Sequence, residues 1–161
     1  MEEEGIHIPM LYEEARKVDF SSEMADIKLN IIQDPTREGS VEYLNQRLLV
    51  VKDIVNSKYF TNLSNIYQIK EADKLVKLKS ENQTRINTLE GMGVPKQEVE
   101  IHKAMVYFFK QIDKLIDLRI EVVQKGLERK DYDQKQKDII LRSVWAHRQI
   151  NDAINKLSPN K

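Results

Sequence analysis

Residues 91–127, GMGVPKQEVEIHKAMVYFFKQIDKLIDLRIEVVQKGL, decide how this chain folds. Gly91 or Gly93 can take a positive φ, and Pro95 suits the first position of a helix. GMGVP therefore reads as a helix stop and restart. Beyond it, Ile101, Met105, Phe108, Phe109, Ile112, Leu115, Ile116, Ile120, Val123 and Leu127 recur at helical spacing. They predict one long helix over about 95–129, with a wide apolar stripe for other helices to cover.

Working upstream, Leu63, Ile66, Ile69, Ala72, Ile86 and Leu89 predict a helix over 62–90. Its centre, KLKSENQTR (77–85), is almost wholly polar and is expected to project past the bundle or face water. Ser40 is a candidate N-cap for a helix over 40–57. There Val41, Leu44, Leu48, Val51 and Val55 repeat three, four, three, four, thickened by Leu49, Val50 and Ile54. A break or kink is expected near 57–61, where Asn and Ser compete for backbone hydrogen bonds. In the first helix, expected over 10–33, Leu11, Ala15, Val18, Ser22, Ala25, Leu29 and Ile32 form an a/d seam, widened by Met24, Ile27 and Ile31. Pro35 ends it by pushing Asp34 out of the α region.

Downstream, Asp131 with Gln134 reads as a capping box opening a last helix over 131–157. It pairs with its predecessor as a long αα-hairpin. No segment alternates with period two, so no strand is expected. The elements predict an all-α protein: an up-down antiparallel helical bundle of four or five long helices. Residues 1–9 form an N-terminal tail and 10–158 a single domain.

Composition excludes several functions. The 161 residues carry 26 Lys+Arg against 26 Asp+Glu, so no basic surplus marks a nucleic-acid binder. No cysteine is present, which excludes disulfides, thiolate zinc sites and cysteine nucleophiles. No apolar run approaches the roughly 18–20 residues that cross a bilayer. The acidic start, MEEEGIHIPM, lacks the features of a signal peptide. The chain as it stands is expected in the cytoplasm, or outside it if an export signal or lipid anchor has been removed.

Catalytic patterns are missing too. G-x-S-x-G, H-E-x-x-H and G-x-x-x-x-G-K-[ST] do not occur, and GMG lacks the third glycine of a dinucleotide turn. Glu98 and His102 stand four apart and could chelate a metal. A bundle carboxylate site, however, needs Glu-x-x-His, and the residues three before His102 and His147 are Val99 and Val144. The simpler reading makes Glu98 a first-turn carboxylate favoured by the helix dipole, with His102 flanking the core. His147 follows Ala146 as in a phosphorelay helix, but the Lys and Gly that should follow are replaced by Arg148, Gln149, Ile150 and Asn151. The lysines at 70, 74, 77 and 79 are diluted by Glu71 and Asp73, as on a solvated face. Leu141 and Trp145 lie off the Ile139/Ala146/Ile150 seam, with Arg148 continuing their line. Such a trio has the composition of a protein-interface anchor. Alternatively another element, such as GIHIPMLY (5–12), covers it.

In layout, the second half of the chain resembles the helical hairpins of small Gram-positive surface lipoproteins. It has a Pro turn, a helix with one His, a short Lys/Asp turn and an Ala/Asn-rich last helix. About 65 residues carry the resemblance, without a diagnostic motif, and the lipid-attachment cysteine of such proteins is missing. The Lys-, Ile- and Asn-rich composition suits a low-GC bacterium or its phage. The expectation is a non-catalytic helical-bundle protein without a cofactor. It would act through protein–protein contacts or self-association as an adaptor, accessory or surface domain. The alternative is a metal- or small-ligand-binding bundle using Glu98, His102, Tyr107 and His147.

Overall fold

A computed structural model describes residues 13–52 and 69–156. The protein is mostly helical, with four main helices packed together and a small two-stranded parallel sheet. It is therefore not strictly all-α. In chain order the elements are α1 (Ser21–Ala25), β1 (Asn30–Ile32), α2 (Arg37–Val51), α3 (Ala72–Gly91), β2 (Gly93–Pro95), α4 (Val99–Lys125) and α5 (Arg129–Lys156). The expected tail, the cover by 5–12, the break near 57–61 and the first turns of the helix expected from 62 lie outside the described residues.

The long helix predicted after GMGVP is α4, and it is the centre of the molecule. Ala104, Met105, Val106, Tyr107, Phe108 and Phe109 are buried in succession. Six buried residues in a row span more than a full turn, so α4 is covered on every side here rather than along one stripe. α5 packs along one flank and α3 along another, while α1 covers a third. The helix stops at Lys125, short of the expected 129. Gly126 takes the left-handed conformation (φ 64°), and the Leu127 N–H reaches back to the Val122 carbonyl at 3.1 Å.

α5 begins at Arg129, two residues before the expected start. Asp131 does take part in its N-terminal cap, but from inside the first turn. Its Oδ2 accepts the Glu128 N–H at 3.1 Å, the return half of a capping box. α2 likewise starts ahead of Ser40. Thr36 is the N-cap, its Oγ1 accepting the Gly39 N–H at 2.9 Å.

The helix expected over 10–33 does not form. A helical turn at 13–15 ends, α1 occupies five residues, and the chain then extends into β1. One continuous helix would bury Ser22 and Ala25 and leave Phe20 off the seam. In the fold Ser22 and Ala25 are exposed, while Phe20, Met24, Ile27 and Leu29 pack against the core. The broken path adds Phe20 to the core and releases Ser22 and Ala25 to water, an exchange that favours it over the continuous seam. Asp19 supports the break, because its Oδ1 accepts the Ser21 N–H at 2.8 Å.

The parallel pair β1–β2, in register Asn30↔Gly93, Ile31↔Val94, Ile32↔Pro95, corrects the expectation of no strands. Three residues per strand are too few to show a period of two. GMGVP is thus a strand as well as a turn, with Val94 fully buried.

The polar centre of α3 faces water, as expected, through Lys77, Ser80, Glu81, Gln83 and Thr84, but it also turns two polar residues to α4. Asn82 is buried and donates from Nδ2 to the Phe109 carbonyl at 2.9 Å. Lys79 bridges Asp113 and Asp117 of α4 at 2.9 and 3.0 Å. Polar residues here meet polar groups on the central helix, a long-range match that helix periodicity cannot reveal. Among the described residues no helix is long and apolar enough to cross a membrane.

Two substitutions test this framework. Gly126→Ala meets no neighbour, so its cost is the left-handed backbone alone, about 1 kcal/mol. Phe20→Ala should cost about 2 kcal/mol in urea unfolding and shift the fluorescence of the single tryptophan, Trp145, to the red.

Candidate functional site

The Glu98/His102 pair predicted from the sequence lies in a closed polar chain linking α2, α3 and α4. His102 is 0% exposed. Its Nε2 faces the Leu89 carbonyl at 2.8 Å and its Nδ1 faces the Tyr43 hydroxyl at 2.7 Å. A carbonyl only accepts, so Nε2 carries the proton and donates. Nδ1 then accepts from the Tyr43 O–H in the neutral ring. Arg47 Nη1 donates to Tyr43 Oη at 3.4 Å and pairs with Glu98 Oε1 at 2.6 Å. The Arg47 and Glu98 side chains are only 12% and 10% exposed.

This geometry spends the groups that a metal or a general base would need. Both ring nitrogens of His102 have protein partners, and Glu98 is turned to Arg47. Among the described residues no group of three or more His, Asp or Glu is placed to hold a metal. Burial is the largest influence on His102 and holds its pKa below the usual histidine value. Arg47 pushes in the same direction, against the Leu89 carbonyl and Glu98. The Tyr43 phenol is raised, again chiefly by burial.

Tyr107, the third residue of the ligand-pocket alternative, belongs to a separate cluster. Its hydroxyl donates to Glu23 Oε1 at 2.5 Å. Arg142 of α5 grips the same carboxylate with Nε at 3.0 Å and Nη2 at 3.2 Å, while its guanidinium lies 4.5 Å over the Phe20 ring. Arg142 is the main reason that the Glu23 carboxyl lies below its ordinary pKa; burial opposes it, and the Tyr107 hydrogen bond acts with it. Burial is also the main force raising the Tyr107 phenol, with Glu23 adding to it. The cluster fastens α1 onto α4 and α5. Beside it an open groove of about 500 Å³ is lined by Asp26, Lys28, Lys110 and Lys114 among others. Lys110 is paired with Glu90 across 3.0 Å.

His147, the last member of that alternative, is half-buried on α5, with its ring 6.2 Å from Phe108 and Asn151 Nδ2 3.5 Å from its Nδ1. The structure does not bring Glu98, His102, Tyr107 and His147 into one pocket.

The trio Leu141, Trp145 and Arg148 is covered at its centre. Trp145 is 3% exposed, held edge-to-face by Phe20 (5.7 Å) and Tyr107 (5.8 Å). Leu141 and Arg148 are half-buried. A cover was one of the two expected outcomes, but the covering residue is Phe20, which the expected first helix had left off its seam.

Among the described residues the large exposed apolar side chains lie elsewhere: Ile31 and Ile32 on β1, Val76 on α3, and four on α2. Val41, Leu44, Leu48 and Leu49 are 52%, 40%, 55% and 73% exposed. Only Tyr43 and Val51 of this helix are buried, with Arg47 and Val50 beside them. The expected seam Val41/Leu44/Leu48/Val51 therefore splits, with Val51 inward and the other three outward. A signal was present in the sequence. Leu48, Leu49, Val50 and Val51 are consecutive and surround the helix, so apolar residues stand on both faces.

Comparison with protein-family models, curated proteins and solved structures finds no match for the chain.

Two outcomes follow from the buried chain. Glu98→Ala strands Arg47 and is expected to cost about 3 kcal/mol in urea unfolding. Because the folded pKa of His102 is lowered, the unfolded chain binds the extra proton first. Its contribution is complete above the unfolded value, about 6.5, and is lost as pH falls below it toward the folded value. Stability should therefore fall as pH drops below about 6.5. His102→Gln, which can donate to Leu89 and accept from Tyr43, should flatten that slope.

Proposed function

We propose that the protein is a non-catalytic helical module that works through protein–protein contacts, with the outward face of α2 as its docking surface. The carrying observation is the set Val41, Leu44, Leu48 and Leu49, exposed along a helix whose other side is anchored by Tyr43, Arg47 and Val51. Scattered exposed apolar residues are ordinary, but four on one short helix form a patch of the kind that marks an interaction site. The commitment of Glu98 and His102 to internal partners supports this reading over a metal or small-ligand site. An adaptor, accessory or surface domain of bacterial or phage origin fits it.

Leu48→Glu together with Leu49→Glu tests the proposal. Both residues are exposed, so circular dichroism and the unfolding midpoint should change little. Proteins cross-linked to the wild type in its native cell should disappear from the variant and persist with Lys74→Glu, an exposed control on α3. An identical cross-linking profile for wild type and double variant would exclude this face.

A further inference from the structure

We infer that the occupant of the α2 face is a second copy of this chain, its α2 lying antiparallel across a two-fold axis near Asn45. This deepens the proposed docking function and rests on it. Residues 38, 41, 45, 48 and 52 are spaced three, four, three, four and are all exposed. That is a helix–helix seam, read as Glu38, Val41, Asn45, Leu48 and Lys52. The inward residues Tyr43, Arg47 and Val50 lie on the opposite side of the helix.

The seam is self-complementary in one direction only. Two antiparallel copies centred on Asn45 set Glu38 against Lys52 of the second copy, at both ends. Val41 meets Leu48 and Leu49 of the second copy, and the two Asn45 side chains meet at the axis. This is the isologous pattern a two-fold requires, in which residue i faces j and j faces i. A parallel pairing would oppose Glu38 to Glu38 and Lys52 to Lys52. Antiparallel helices also set the positive N-terminal dipole end of one copy beside the negative C-terminal end of the other, whereas parallel helices would set like ends together. A polar Asn in an apolar seam selects register, because only the centred pairing lets the two amides hydrogen-bond to each other. Val41, Asn45 and Leu49 also line a shallow groove of about 540 Å³ flanked by Glu38 and Glu42.

A contact about four turns long and one helix wide is small for a stable interface, so the dimer is a weak, concentration-dependent one. Sedimentation velocity on the full chain, between roughly 5 and 500 µM, is the test. The wild type should pass from monomer to dimer, and Leu48→Glu should stay monomeric. Glu38→Lys and Lys52→Glu should each weaken the dimer about five-fold, since each opposes like charges at both ends. The double variant E38K/K52E should regain wild-type association, which no partner other than a second copy could produce. A wild type that is monomeric throughout overturns the self-pairing, and so does a dimer that ignores Leu48→Glu. If such a monomer still loses its cross-linked proteins when Leu48 and Leu49 become Glu, the docking function stands and only the choice of occupant fails. A monomer whose unfolding midpoint drops with Leu48→Glu identifies a segment of the same chain as the cover and overturns both.

Discussion

The run Ala104–Phe109 has no polar face to give to water, and the rest of the structure answers that demand. A helix buried all round must be enclosed, and two long neighbours enclose only part of it. α3 and α5 take two flanks. The remaining side is closed by α1 and the extended chain around it, through Phe20, Met24, Ile27 and Leu29. Hence the N-terminal segment is broken rather than helical. Its task is to lay large side chains over Tyr107 and Trp145, and an unbroken helix could not present Phe20 there.

The same central helix sets the attitude of α2. Glu98 and His102 stand one turn apart near its start, and their partners Arg47 and Tyr43 are four residues apart on α2. Two polar anchors at matching helical spacing fix which side of α2 faces inward. Once Tyr43 and Arg47 are held, Val41, Leu48 and Leu49 must point away from the core. A buried polar latch thus decides the placement of an apolar surface, and the residues with the spacing of metal ligands serve to aim the residues proposed to dock.

Much of the fold was legible in the sequence because it depends on local periodicity. The stripe of α4, the stop at GMGVP, the turn before α5 and the helical character of 72–91 all follow from spacing and from Gly and Pro. What was not legible depends on partners distant in sequence. Asn82 reads as solvated until the Phe109 carbonyl is beside it. Val94 reads as part of a turn until Ile31 pairs with it. Trp145 reads either as an interface anchor or as a covered residue until Phe20, 125 residues earlier, lies against its ring.

By itself, then, the sequence determined a predominantly helical, cysteine-free chain with one unusually apolar helix and no recognisable catalytic pattern. These properties are carried by residue types and their spacing within a single turn or two. Only the tertiary structure decided which of two apolar faces on α2 is turned outward, that His102 is neutral and internally satisfied, and that residues 18–32 do not form one continuous helix. Each of those outcomes is a competition between alternative burials. The winner is set by what α4 leaves uncovered, and no window along the chain contains that information.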